Sequence, residues 1–173
     1  MVKKQISDLT VEVLEKYHKR ADFSCGEDAL DRYIKQQASQ DQKRRISAPF
    51  ILVDKIKSQI AGYYTLSMTS IALSNIPEKT AKKLPKYPLI PAVLLGRLAI
   101  DERYKGKRLG EYLLLDAMKR SLDNSSEVAA YCLVVDAKDD KAKSFYKKYG
   151  FIEMVDNKYR LFIPMKTIEI LKL

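Results

Sequence analysis

The chain has 173 residues and a formal charge of +10, with a sequence pI near 9.5. That length predicts one domain, residues 1–173, because chains of this size bury about 70% of their unfolded surface; the charge points to a polyanionic partner held by Coulomb attraction and counterion release. One histidine and two distant cysteines, Cys25 and Cys132, exclude multi-histidine and paired-cysteine metal sites, so no metal is expected, and the absence of a GxSxG elbow or a Walker loop makes serine hydrolases and P-loop nucleotidases poor fits.

The N-terminus, MVKKQISDLTVEVLEKY, meets Asp8 and Glu12 before any apolar run of signal-peptide length, and the longest apolar stretch, PLIPAVLLGRLAI, is interrupted by Pro91, Gly96 and Arg97. A cytoplasmic protein with no membrane association is expected. His18, in a polar segment, reads as a bystander, and the two cysteines as small core residues. From Cys25 onward, EDALDRYIKQQASQDQKRR spaces Leu30, Tyr33, Ile34 and Ala38 as one face of an amphipathic helix. APFILVD (48–54) and QIAGYYTLS (59–67) flank the turn KIKS and predict an antiparallel hairpin. Residues 75–91 hold four of the six prolines and four lysines, which predicts an irregular basic connection.

AVLLGRLAID (92–101) is an almost unbroken apolar run, the pattern of a strand covered on both faces. A helix over about 109–122, a second apolar strand over 128–137, and a helix in DDKAKSFYKKYG closed by Gly150 complete a right-handed parallel crossover. FIEMV and KYRLFIPMK read as two closing strands. Between the first apolar strand and its helix lies Lys105-Gly106-Lys107-Arg108-Leu109-Gly110. A helix N-terminus there offers unpaired N–H groups and the positive end of the macrodipole, the glycines admit close approach of an anion, and the cations add charge, so the loop suits a pyrophosphate.

LLGRLAID, YKGKRLGEYLL and VDAKDDKAKSFYKKYGF together resemble, in order and spacing, the acetyl-CoA-binding core of the GNAT N-acetyltransferases. FSCGEDALDRYI, IAGYYTLS and LPKYPLIPAVLLGRLA are similar, more narrowly, to the GNAT toxins of bacterial toxin–antitoxin modules. The resemblance implies an α/β fold with a mixed central β-sheet, splayed parallel strands and helices on both faces. It implies acetyl-CoA as cofactor, held by Leu98, Ala99 and Ile100, by the loop Lys105, Gly106, Lys107, Arg108, Leu109 and Gly110, and by Asp136, Asp139 and Ala142. Tyr146, in the family's FY-x-x-x-GF pattern, is implied as general acid to the leaving thiolate; from the helix pattern alone it would be a packing aromatic beside Phe145, Tyr149 and Phe151.

The sequence departs from the family pattern at three places. Lys105 stands for Arg or Gln, Arg108 for the inner Gly, and Asp139 for a frequent Asn. Were φ positive at Arg108, the strain would be about 1 kcal/mol or more; its side chain could offset this by reaching a CoA phosphate.

No histidine or glutamate is nominated as general base by spacing, which suits an amine of modest basicity such as the α-amino group of an aminoacyl-tRNA. The resembling toxins acetylate that group and so block translation, and each is neutralised by a small cognate antitoxin; a homodimer is a further implication. Lys43, Arg44, Arg45, Lys82, Lys83, Lys86 and Arg97 are then candidate tRNA contacts. Arg97 stands out, since a charge in an apolar strand needs a partner or a task. Two alternatives stand beside this reading: a housekeeping GNAT acting on a small amine or a protein N-terminus, and a non-catalytic nucleic-acid-binding module.

Overall fold

The structure is a computed structural model and describes residues 8–173; the basic start of the chain, residues 1–7, lies outside the described residues. In chain order the elements are β1 (Leu9–Val13), α1 (Asp28–Arg32), a π-helical turn (Tyr33–Gln37), α2 (Ala38–Lys43), β2 (Ala48–Asp54), β3 (Gln59–Ala72), a 3-10 turn (Leu73–Asn75), α3 (Glu78–Ala81), β4 (Leu89–Ile100), a second 3-10 turn (Glu102–Tyr104), α4 (Leu109–Asn124), β5 (Cys132–Asp136), α5 (Asp140–Lys148), β6 (Ile152–Glu153), β7 (Arg160–Pro164) and α6 (Met165–Ile170). The seven strands form one mixed sheet in the order β1-β2-β3-β4-β5-β7-β6. By their internal contacts the described residues group into two compact units, 8–67 with 96–117 and 68–95 with 118–173.

In the first unit β1, β2 and β3 make an antiparallel meander, with Leu9 opposite Asp54 and Phe50 opposite Tyr64. The alternation of side chains along a strand sends neighbours to opposite faces. Tyr63 accordingly joins Ile51 and Ala99 in a cluster with Phe23 and with Tyr33, Ile34 and Ala38 of the α1–α2 segment, while Tyr64 turns to the other face and donates to the Asp116 carboxylate of α4 at 2.5 Å. Gly62 makes the second packing possible: a Cβ there would lie 2.7 Å from the Ala99 carbonyl and 3.1 Å from Leu113. In the second unit β5 pairs in parallel with β4 over Ala92–Leu95 and antiparallel with β7, around a core of Ile71, Ile90, Cys132, Val134, Met154 and Phe162.

Several expectations are corrected. The single helix after Cys25 is three segments, because the chain widens into a π turn at Tyr33–Gln37 between α1 and α2. The Pro-rich connection is not wholly irregular: Glu78–Ala81 forms one helical turn behind Pro77, whose missing N–H costs nothing at that end, and β4 already begins at Leu89. The expected strand over 128–137 shortens to Cys132–Asp136, and the chain closes with α6, which the sequence reading omitted along with β1. His18 is buried, 6% exposed, its Nδ1 accepting the Glu15 N–H at 2.9 Å and its Nε2 lying 3.3 Å from Glu12. Cys25 and Cys132 are both buried and free, as expected.

Candidate active site

The first unit supplies the loop. β4 ends at Ile100, and Asp101, 1% exposed, turns the chain away. Its carboxylate accepts the Ser24 N–H at 3.1 Å, the Arg103 N–H at 3.0 Å, and the Arg103 guanidinium at 2.7 and 2.8 Å. Burial works to raise this carboxyl's pKa, but the Arg103 side chain and the two amides outweigh it and hold it below the ordinary carboxylate range. The Glu102 N–H donates to the Ser24 carbonyl at 2.8 Å, Lys105 Nζ to the Cys25 carbonyl at 2.8 Å, and the buried Tyr104 hydroxyl to Asp54 at 2.8 Å. Segment 24–26 and strand β2 thus fix the base of the loop.

The loop then crosses the left-handed region twice. Gly106 has φ +79° with open space where a Cβ would project, and Arg108 has φ +59°. Glycine enters this region freely, whereas an arginine there carries strain of order 1 kcal/mol. The first helical bond runs from the Tyr112 N–H to the Arg108 carbonyl at 3.2 Å, so the amides of Leu109 and Gly110 lie ahead of it, at the positive end of a helix of 16 residues. An added Cβ at Gly110 would approach nothing closer than 4.0 Å, at the side chains of Leu98 and Ile100. The three cations divide their tasks. Lys105 is spent on Cys25, Arg108 bonds the Glu111 carboxylate at 2.7 Å through Nε, and Lys107 is exposed beside the Tyr104 ring. An open amide cradle with cations around it fits a diphosphate group. All three cations are exposed; Lys105 and Arg108 already hold acceptors within the chain, and Lys107 holds none among the described residues.

The second unit supplies the phenol. β5 ends at Asp136, which is exposed and lies 3.7 Å from Arg160 Nε. Asp139 is the N-cap of α5, accepting the Ala142 N–H at 2.7 Å, so the place where the family often has Asn serves here to start the helix. Gly150 ends that helix region at φ +96°. Tyr146 lies half-buried on α5, its ring 5.3 Å from Phe145 and 5.5 Å from Phe151. Burial, helped by the negative charge of Asp136, pushes its phenol up to about 12, and no described residue hydrogen-bonds its hydroxyl. Tyr146 is therefore both a packing aromatic and a protonated group with an uncommitted oxygen.

The candidate RNA contacts also fall in separate units. Lys43 and Arg44 close α2, Arg45 follows at φ +58°, and all three are exposed in the first unit. Arg97, in the same unit, is half-buried over the Tyr33 ring. Lys82, Lys83 and Lys86 are exposed in the second unit, where Lys82 pairs with Glu78 at 2.8 Å. The Ser24–Asp101 bond and the Tyr33 support of Arg97 were missed in the sequence, since spacing carries no signal for contacts made across tens of residues. Among the described residues no cluster of three or more metal-ligating side chains occurs, and no helix is long and apolar enough to cross a membrane.

A mixed sheet with an anion-binding loop opening α4 and a protonated phenol on α5 defines an acyltransferase fold. Residues 89–171 match the family described as acetyltransferase (GNAT) domain. The chain belongs to the GNAT acetyltransferases, at 36% identity to a Tyr-to-Phe mutant of KacT (TM-score 0.89, 95% of this chain and 99% of that one). It is equally similar to AtaT in complex with acetyl-methionyl-tRNAfMet: 36% identity, TM-score 0.89, 96% of this chain and 100% of that one. Solved structures also include a Tyr-to-Phe mutant of AtaT bound to the C-terminus of the antitoxin AtaR, and AtaTR bound with acetyl-CoA. Among curated relatives, a tRNA-acetylating toxin of Mycobacterium tuberculosis is 29% identical over 144 residues, covering 83% of this chain and 84% of its own. A probable toxin TacT of Sinorhizobium fredii is 26% identical over 158 residues, covering 87% of each.

Proposed function

We propose that this GNAT acetyltransferase moves the acetyl group of acetyl-CoA onto the α-amino group of an aminoacyl-tRNA in the cytoplasm, blocking translation until a cognate antitoxin covers it. The observation that carries this reading is the 36% identity, over 96% of the chain, to AtaT bound to acetyl-methionyl-tRNAfMet. The formal charge of +10 agrees with a nucleic-acid substrate and disfavours a cationic polyamine.

When bound, acetyl-CoA supplies an acetyl group activated as a thioester. The chain's part is to hold its diphosphate on the amides of the Gly106–Gly110 loop, with Lys107 adding charge. Leu98, Ala99 and Ile100, with Asp136, line the route for the pantetheine arm in this reading, and Ala142 opens the helix that carries Tyr146. Tyr146 keeps its proton at cellular pH, because its pKa is pushed up to about 12. As the amine nitrogen bonds the acetyl carbon and the carbon–sulfur bond breaks, the phenol gives that proton to the departing sulfur, and the nitrogen's surplus proton passes to solvent. An α-amino group with pKa near 8 is already partly neutral, so no protein base is required.

The test is to incubate the purified protein with acetyl-CoA and total charged tRNA and to examine the aminoacyl ends by mass spectrometry. N-acetyl-aminoacyl ends that disappear with Tyr146→Phe are expected. Acetyl transfer confined to free amines or peptides would replace this reading with a housekeeping acetyltransferase.

A further inference from the structure

We infer that Glu153, on β6, is a positioning residue for Tyr146: it clamps the helix that carries the phenol, and this rests on the role of general acid proposed above for Tyr146. None of the nine residues of α5 is fully buried, so the seating of the helix depends on contacts along its flank more than on a core side chain. Lys143 and Lys147, at i and i+4, stand on one face of that helix and bracket Tyr146 in sequence. Both ammoniums converge on one carboxylate oxygen: Glu153 Oε1 lies 3.1 Å from Lys143 Nζ and 2.7 Å from Lys147 Nζ. Nearer the helix start, the Tyr159 hydroxyl donates to Asp140 Oδ1 at 2.8 Å, and Lys143 Nζ stands 5.4 Å from the centroid of the Tyr159 ring.

Without Glu153 the two lysines would stand as like charges one helical turn apart, an unfavourable arrangement; with it the three charges form one junction. Glu153 pairs in the sheet opposite Leu161 of β7, which is fully buried, so the anchor stands on a strand and not on a loop. Two residues earlier, Phe151 lies 5.5 Å from the Tyr146 ring, so the segment that grips the helix also packs the phenol. Lys147 first, and then Lys143, hold the Glu153 carboxyl below the ordinary carboxylate range, and the junction therefore keeps its charges near neutral pH. Ion pairs this close to the surface contribute little to stability. The rate is more sensitive, because a displacement of about 1 Å in a reacting group can cost about 100-fold. A clamp of this kind is accordingly read in turnover and not in the melting of the fold.

The test is a double-mutant cycle between Glu153 and Tyr146, read in the kcat of acetyl transfer to total charged tRNA. Glu153→Gln keeps the size of the side chain and an acceptor oxygen but loses the charge. It is expected to lower kcat about ten-fold, with acetyl-CoA affinity by calorimetry unchanged within about two-fold and the thermal midpoint within about 2 °C. In a Tyr146→Phe background the same change should cost less than about two-fold, because no phenol remains to be placed. Charge reversal by Glu153→Lys should cost more than Glu153→Gln, and adding Lys143→Glu with Lys147→Glu should recover most of the lost rate. An equal loss with and without the phenol, or no loss from Glu153→Gln, overturns the proposal. Amide hydrogen exchange supplies a readout that needs no turnover: residues 140–148 should exchange faster in Glu153→Gln while α4 keeps its wild-type rates, and unchanged exchange in α5 overturns the clamp. If α5 loosens in the variant but the wild type forms no N-acetyl ends, the clamp stands and the proposed function falls.

Discussion

Arg108 occupies the left-handed region at φ +59° while its guanidinium bonds the Glu111 carboxylate at 2.7 Å, three residues along the first turn of α4. The backbone strain and the ion pair are separable. Strain of order 1 kcal/mol falls on the residue itself, whereas an exposed pair at this spacing contributes about 0.3–0.5 kcal/mol. Arg108→Gly should therefore leave the protein slightly more stable, by about 0.5 kcal/mol, as a rise in thermal midpoint would register. Because the guanidinium is already engaged by Glu111, acetyl-CoA affinity in the same variant should stay within about three-fold of wild type by calorimetry. A larger drop would mean that the guanidinium leaves Glu111 to reach a phosphate.

Tyr146→Phe tests the phenol alone, since the contacts of its ring with Phe145 and Phe151 survive the change. A positioned general acid contributes about 10²- to 10⁴-fold, so kcat should fall by at least about 100-fold while acetyl-CoA affinity and thermal midpoint hold. The pH dependence follows from the raised pKa. With the phenol pushed up to about 12, the proton needed by sulfur is present throughout the accessible range. The rate should then rise from acid toward pH 8 as the amine deprotonates, and show no alkaline decline before pH approaches about 10. A decline between pH 7 and 9 would point to another acid.

What the sequence made legible was what lies close along the chain. The strand–loop–helix unit from β4 into α4, the hairpin of β2 and β3, and the helix end at Gly150 are local patterns of periodicity and turn chemistry, and the structure has them. β1 escaped because LTVEV is short and sits in a polar segment, and the π turn at Tyr33 because its residues keep a helical apolar spacing throughout. The partners of the site cations escaped for a different reason. Lys105 reaches Cys25 and Asp101 reaches Ser24 across more than seventy residues, so their commitment is settled only when β4 and the 24–26 segment meet. The loop reads from sequence as three equal cations; folding gives two of them, Lys105 and Arg108, acceptors within the chain.

The Asp101 carboxylate is the fastening of that loop, and its removal should be felt in stability and in pH. Asp101→Asn keeps size but loses the charge and one acceptor for the Arg103 fork. Leaving such buried donors short costs about 1–3 kcal/mol, measurable by urea unfolding near neutral pH. Because the carboxyl's pKa is lowered in the folded protein, its contribution is present above its unfolded value near 3.9 and is lost as pH falls through the lower folded value. Wild type should thus lose this increment on acidification below about pH 4, while the asparagine variant, already without it, shows a shallower acid transition.

Tyr33 and Tyr63 stack on each other, yet removing the hydroxyl of each should have opposite effects. The Tyr63 hydroxyl donates to the Leu30 carbonyl at 2.8 Å, joining β3 to α1. Tyr63→Phe leaves that buried carbonyl without this donor and should destabilise by about 1 kcal/mol. The Tyr33 hydroxyl is buried near Ser47 and Asp41 but meets neither in hydrogen-bond geometry. Its desolvation is uncompensated, so Tyr33→Phe, which keeps the ring beneath Arg97, should stabilise by about 1 kcal/mol. Thermal midpoints would therefore move in opposite directions for two identical substitutions in touching rings. Destabilisation by Tyr33→Phe would instead reveal that its hydroxyl binds a group, such as Ser47 beside it, that shares in holding the π turn.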